Sequence, residues 1–123
     1  MPLDTPILFA ATTDPSRARA FYEGVLGLRL LTEDQFALVF EVGKLSLRIQ
    51  KVAQKPKIEY TVLGWLVPDI EAEVRRLAKA GVQFSRYAGM DQDQLGVWRS
   101  PSGARIAWFS DLDGNTLSLT QPT

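Results

Sequence analysis

The stretch DLDGNTLSLTQ, residues 111–121, contains the tripeptide LSL, which already occurs once in GKLSLRIQ, residues 43–50. Each copy is the last of three short apolar segments of strand length. Each set of three follows one strand-like segment and one helix-like segment. The repetition predicts that the chain uses one βαβββ arrangement twice.

The two predicted helices start in the same way. Asp14 and Asp69 are suitable N-cap residues, they lie 55 positions apart, and apolar residues recur after each of them at helical spacing. Gly24 or Gly27 is expected to end the first helix, and Gly81 the second. The predicted strands cover 7–11, 28–32, 36–42 and 45–52 in the first half, and 62–67, 82–87, 104–110 and 116–121 in the second.

These elements predict an α+β fold in a single domain of two modules, residues 1–54 and residues 55–123. A polar segment around Pro56 separates the modules. The length of 123 residues fits one compact domain with a real core.

The composition narrows the possible partners and chemistry. Fourteen basic residues balance 14 acidic ones without a basic stripe, which argues against nucleic acid as a partner. No apolar run is long enough to span a bilayer, and MPLDTPILF does not have the pattern of a secretory leader, so no membrane association and a cytoplasmic location are expected. The chain has no Cys and no His, which excludes thiol chemistry and the commonest metal ligand and general base.

Three segments together resemble one known family. DPSRARAFYEGVLGL (14–28), VPDIEAEVRRLAKAGVQF (67–84) and IAWFSDLDGNTLSL (106–119) are similar to the vicinal oxygen chelate superfamily, which includes glyoxalase I, bleomycin resistance proteins and extradiol dioxygenases. The resemblance implies a cupped eight-stranded sheet built from two βαβββ modules, a ligand site in the cup, and usually a homodimer.

The resemblance also implies four metal-ligand positions, one on the first and one on the last strand of each module. They correspond here to Ile7, Val62, Ser118 and, for the fourth, Ser46 or Arg48. Metal-using members place His or Glu there, whereas Ile and Val have no donor atom, and a divalent ion typically needs three protein ligands or a few carboxylates. We therefore expect no metal and no cofactor at the usual site.

Strand alternation predicts which side chains line the cup. Ser46, Arg48, Tyr60 and Ser118 are expected there, with Trp98 at its rim or on a mobile loop. A guanidinium pairs well with a carboxylate or phosphate, and an indole provides a flat apolar wall. These five residues are the predicted binding site for a small aromatic or anionic molecule, whereas Trp65 and Trp108 are expected to pack in the core.

Three functions stay open at this point. The first is a metal-free binding protein for a small organic molecule. The second is a metal-dependent lyase, isomerase or dioxygenase of the same superfamily that uses carboxylates such as Glu41 or Glu59. The third is a dimer with a purely structural or partner-binding role.

Overall fold

The computed structural model describes residues 3–123, and its strands form two four-stranded mixed sheets. The first sheet has the order β1-β4-β3-β2 and the second the order β5-β8-β7-β6. In both sheets the first and last strands of the module are parallel, and the other pairs are antiparallel. The strands of the first sheet are β1 (Leu8–Thr12), β2 (Arg29–Glu33), β3 (Ala37–Val42) and β4 (Leu45–Lys51). Those of the second are β5 (Thr61–Leu66), β6 (Trp98–Arg99), β7 (Arg105–Ser110) and β8 (Thr116–Gln121).

The predicted fold class is confirmed, because each half has the order βαβββ. The chain forms two compact units. The first extends to Lys57 and also includes the turn Leu112–Asn115; the second comprises Ile58–Asp111 and Thr116–Thr123.

The first helix is short and changes its winding. The Asp14 carboxylate accepts a hydrogen bond from the Arg17 N–H at 3.2 Å and so caps α1 (Pro15–Arg19). The chain continues as a π-helical segment, Ala20–Val25. The Tyr22 ring packs 5.7 Å from the ring of Phe40 on β3, so this helix covers one face of the first sheet. That face contributes the buried residues Leu38, Phe40, Leu47 and Ile49.

The second helix, α2 (Ile70–Lys79), covers one face of the second sheet. The Arg105 guanidinium lies 3.3 Å from the Glu71 carboxylate, and the Gln121 side-chain oxygen accepts a hydrogen bond from the Ile70 N–H. Every second residue of a strand lies on the same face, so Ala107 and Phe109 share the face of Arg105, and Leu117 and Leu119 share that of Gln121. These four apolar side chains therefore point toward α2. The opposite face of this sheet is therefore the one that α2 leaves uncovered.

The acidic turn of the LSL segment is a structural anchor of the first unit. The Asp113 carboxylate accepts hydrogen bonds from the Thr12 hydroxyl, the Thr13 N–H and the Thr13 hydroxyl at 2.5 to 3.1 Å. The Asn115 amide donates to the Ala11 carbonyl, and the Arg17 guanidinium donates to the Leu112 carbonyl. The turn is thereby bonded to the connection between β1 and α1.

The prediction of a strand at 82–87 is wrong. Phe84 forms only an isolated bridge to Phe109, and the sixth strand is the two-residue β6. The polar groups of residues 85–97 bond mainly to one another instead, as described below. Within residues 3–123, no helix has the length and apolarity needed to cross a membrane.

Candidate ligand-binding surfaces

On the uncovered face of the second sheet, residues of three adjacent strands are aligned in one row. Gly64 on β5 pairs with Ser118 on β8, and Ser118 pairs with Trp108 on β7. Trp98 on β6 pairs with Ile106, which precedes Trp108 by two positions and so points the same way. We call this surface, made of Gly64, Thr120, Ser118, Ile106, Trp108 and Trp98, the tryptophan face.

Three aromatic rings meet on the tryptophan face. The indoles of Trp98 and Trp108 lie 6.0 Å apart and are inclined by 37°. The Tyr87 ring stands nearly perpendicular to Trp108, at 87° and 5.5 Å. The two indoles are half-buried and Tyr87 is exposed, so this corner offers both a flat wall and an edge to an aromatic ligand.

A single amide side chain organises the loop that carries Tyr87. The Gln92 side-chain oxygen accepts from the Tyr87 N–H at 2.8 Å, and its NH₂ group donates to the carbonyls of Ser85 and Gly96 at 2.9 and 2.8 Å. The Gln92 backbone also forms a bridge to Trp98. Residues 85–97 are thus held together by hydrogen bonds within the loop.

Further bonds stabilise the same loop. The Asp93 carboxylate accepts from the N–H groups of Leu95 and Val97, both at 2.9 Å. The Arg86 guanidinium donates to the carbonyls of Asp93 and Gln94. Arg86 and Asp93 are therefore occupied in building the loop.

The Ser118 hydroxyl is placed at the base of the tryptophan face. Its residue is only 9% exposed, yet the side-chain hydrogen bonds within residues 3–123 do not include this hydroxyl. Since no fully buried side-chain oxygen or nitrogen in this part of the chain lacks a partner, the hydroxyl oxygen reaches solvent. It can donate one hydrogen bond and accept others.

The uncovered face of the first sheet has a different character, and we call it the arginine face. Arg48 on β4 lies between Phe9 on β1 and Val39 on β3, with Ser46 and Glu41 forming the next row. Arg48 is half-buried and forms no salt bridge within 4.0 Å among residues 3–123, while Phe9 beside it is 48% exposed. A cation beside an exposed ring suits an anion with an apolar body.

The charge of Arg48 acts on one carboxylate nearby. The hydrogen bonds from the Phe36 and Ala37 N–H groups lower the pKa of Asp34, and the positive charges of Arg48 and Lys51 lower it further. Asp34 is bonded to backbone and does not pair with Arg48.

Ser46 lies beside a small hollow of about 260 Å³ in the first unit. The hollow is open to solvent and also contacts Ile7, Leu31, Glu41 and Lys44. Arg48 does not line this hollow.

The structure brings together only part of the predicted site. Ser118 and Trp98 share the tryptophan face, and Ser46 and Arg48 share the arginine face. Tyr60 lies before β5, is 69% exposed and joins neither cluster. The register shift between Thr61 and Leu63 explains this, because it breaks the alternation that would have aligned Tyr60 with Gly64.

Sequence reasoning missed Trp108, Tyr87 and Gln92. For Trp108 a signal was present: Ala107 and Phe109 are the buried positions of β7, so the alternating residues Ile106, Trp108 and Ser110 form the other face. Tyr87 and Gln92 had no such signal, because their positions depend on the path of the loop.

The positions implied for a metal carry few donor atoms. Ile7 lies just before β1 and is 53% exposed, and Val62 lies at the register shift of β5. Glu41 is 3.8 Å from the Arg29 guanidinium, and Glu59 is exposed. Across residues 3–123, no three or more Asp or Glu side chains come together in a group able to hold a metal ion.

Solved structures with the same fold include a bleomycin resistance determinant and two antibiotic-binding proteins. The bleomycin resistance determinant encoded on transposon Tn5 is 20% identical, with a TM-score of 0.75, and the match covers 97% of this chain and 98% of that one. The bleomycin-binding protein complexed with bleomycin is 20% identical, with a TM-score of 0.74 and coverage of 98% and 99%. TnmS3, an antibiotic binding protein from Streptomyces sp. CB03234, is 24% identical, with a TM-score of 0.73 and coverage of 98% and 96%.

A search of curated proteins finds no significant match. The family model described as the glyoxalase/bleomycin resistance protein/dioxygenase superfamily matches residues 7–119, nearly the whole chain. With the paired βαβββ fold, this match shows that the chain belongs to the glyoxalase/bleomycin resistance protein/dioxygenase superfamily.

Proposed function

We propose that this chain is a binding protein that takes up a small organic molecule, aromatic or anionic, without the metal ion of the enzymatic members. The observation that carries the proposal is the corner of Trp98, Trp108 and Tyr87 around the Ser118 hydroxyl. A group of aromatic rings, two of them half-buried, beside one accessible hydroxyl is typical of a small-molecule site. TnmS3 and the bleomycin-binding protein, which share this fold, are binding proteins for antibiotics, and this supports the same class of function.

The chemistry of the implied ligand positions supports a metal-free site. Ile7 and Val62 have no donor atom, and a serine hydroxyl such as that of Ser46 or Ser118 is a weak metal ligand compared with a carboxylate. Arg48, the other option for the fourth position, repels a cation. The set does not fit a divalent metal, so the proposed binding relies on packing and hydrogen bonds.

Arg48 and Ser46 extend the proposal to anionic ligands. The guanidinium forms no ion pair with a carboxylate of the described chain and has the exposed Phe9 ring beside it. A carboxylate on an aromatic ligand would satisfy both features. Tyr60, as an exposed ring before β5, stays a proposed ligand contact.

An NMR titration of the three tryptophan indole N–H signals tests the proposal directly, with 2-naphthol as a neutral probe and 2-naphthoate as an anionic one. We expect saturable shifts of Trp98 and Trp108. Trp65 lies in register with Leu119, on the α2 side of the sheet, and its signal is the internal control. Equal shifts of all three signals, or none, would contradict binding at the tryptophan face.

Native mass spectrometry of the gently purified protein separates the proposal from the enzymatic alternative. We expect a protein without stoichiometric metal, alone or carrying an organic adduct. A stoichiometric metal that stimulates turnover of a diketone, a catechol or a hemithioacetal would instead establish the metal-dependent enzyme. The cytoplasm is the proposed location, which fractionation of the producing cells can check.

A further inference from the structure

Gly64 differs from the other glycines of the chain. Seven of the nine glycines have a positive φ, a backbone conformation that residues with a side chain rarely adopt. Gly64 and Gly24 are the two glycines whose φ is not positive. A Cβ on Gly24 would meet no atom within 4 Å. A Cβ on Gly64 would lie 2.5 Å from the Ser118 hydroxyl oxygen and 3.1 Å from its carbonyl oxygen. Glycine at position 64 therefore provides space, and the space lies over Ser118.

The space above Ser118 lies in the same cross-strand row as the Trp108 ring. Gly64, Ser118 and Trp108 are paired across three adjacent strands, and adjacent strands lie about 4.8 Å apart. A ring that packs against the Trp108 indole is thus within one strand spacing of the Ser118 hydroxyl. The Cβ of an alanine at position 64 would be too close to this hydroxyl, which would have to rotate away from it.

The chemistry of this row is neutral. Gly64, Ser118 and Trp108 carry no charge, and neither do Trp98 and Thr120 in the next row, so this part of the tryptophan face offers a hydroxyl for hydrogen bonding and rings for packing. A phenol, a quinone or an aromatic ketone matches both, because it has an oxygen attached to a flat apolar ring. A plain hydrocarbon would leave the hydroxyl without a partner and displace its water.

We propose that Gly64 is a specificity-determining residue, which keeps the Ser118 hydroxyl open for a ring oxygen of an aromatic molecule packed on Trp108. This inference rests on the proposed binding function and narrows it to oxygen-substituted aromatic ligands. It assigns a role to a residue that has no side chain of its own.

The experiment compares two probes of nearly equal shape, 2-naphthol and 2-methylnaphthalene, by the same indole NMR titration. We expect the protein to bind 2-naphthol about tenfold more tightly, the effect of one hydrogen bond that would otherwise be unmade. Gly64→Ala is expected to remove this preference and leave the affinity for 2-methylnaphthalene within about twofold. Gly24→Ala, the matched glycine with open space, is expected to retain the preference in full.

Ser118→Ala tests separately whether the Ser118 hydroxyl causes the preference for 2-naphthol. It removes the hydroxyl with little change in volume and is expected to abolish the preference even if Gly64→Ala does not fold. A double variant with both changes should lose no more than either single variant. Retention of the preference in Ser118→Ala, or in a folded Gly64→Ala, would overturn the proposal.

The outcomes distinguish this inference from the proposed function. If both probes shift Trp98 and Trp108 with equal affinity, the tryptophan face binds aromatics but the role of Gly64 is overturned. If neither probe shifts these signals up to its solubility, both the binding function at this face and the role of Gly64 are overturned.

Discussion

The same tripeptide leads to different surroundings in its two copies. Ser46 in the first LSL pairs with Glu41 and lies at an open hollow. Ser118 in the second LSL is 9% exposed and lies between Gly64 and Trp108. The difference comes from the cross-strand neighbours, since the residues that flank each serine along the chain are leucines in both copies.

Arg48 is expected to contribute to the binding of anions specifically. Arg48→Met keeps the apolar stem of the side chain and removes the charge, so affinity for 2-naphthoate should fall about tenfold while affinity for 2-naphthol is unchanged. Binding is measured by calorimetry. Arg75→Met is the control, because Arg75 is an exposed arginine on α2. An equal loss in both variants would show only a general effect of net charge.

Asp113 is expected to contribute to stability through the bonds it accepts. Asp113→Ala leaves the N–H and hydroxyl groups of Thr12 and Thr13 without their acceptor, which should cost about 1–3 kcal/mol in the free energy of unfolding. Urea denaturation measures the change. Asp91→Ala, at an exposed loop position, should change the same quantity by less than about 0.5 kcal/mol.

Asp34 is expected to make stability depend on acid pH. Its pKa in the folded protein lies below the ordinary value of 3.8, because the Phe36 and Ala37 N–H groups stabilise the carboxylate. The contribution is complete above the ordinary pKa and is lost as the pH falls through the lower folded value. Asp34→Asn should therefore differ most from the wild type near neutral pH, and the difference should shrink below about pH 4. Urea midpoints from pH 7 to pH 2 provide the comparison.

At the scale of elements, the loop from Ser85 to Val97 positions Tyr87 against Trp108, so this contact is already formed before a ligand binds. It is a segment without helix or regular strand, and its order comes from the side chains of Arg86, Gln92 and Asp93. Because hydrogen bonds already hold this loop in place, little conformational entropy of the loop is lost when a ligand binds against Tyr87 and Trp108.

Gln92 is the residue whose removal should loosen this loop. Gln92→Leu removes three hydrogen bonds, so the contact between Tyr87 and Trp108 should weaken, and the near-ultraviolet circular dichroism of the aromatic rings should decrease. Affinity for 2-naphthol should fall about three- to tenfold. Gln94→Leu places the same substitution at an exposed position of the same loop and should leave both signals unchanged.

A reduced affinity with an unchanged aromatic spectrum would contradict the positioning role of Gln92. So would an equal effect of Gln92→Leu and Gln94→Leu. Retention of the far-ultraviolet spectrum in both variants shows that the comparison is made between folded proteins.

At the scale of the whole molecule, we expect a homodimer. The family resemblance implies it, and β1 is an outermost strand of the first sheet, as pairing of strand edges between two chains requires. Native mass spectrometry should show twice the mass of one chain. A monomeric wild type at micromolar concentration would contradict the prediction.

The sequence by itself determined the two helix starts, the order βαβββ and most of the strand positions. These features depend on neighbours along the chain: Asp14 and Asp69 cap helices through N–H groups three residues ahead, and strand faces follow from alternation. The family motifs around Asp14 and Asp113 were readable for the same reason.

Only the tertiary structure decided which of the candidate side chains meet. Ser118 acquired Gly64 and Trp108 as neighbours through strand register, and Tyr60 lost its predicted place through the register shift of β5. Tyr87 reached Trp108 because Gln92 formed bonds within its loop, in place of the predicted sixth strand. Register and loop path depend on contacts between residues distant in sequence, and local pattern does not specify those contacts.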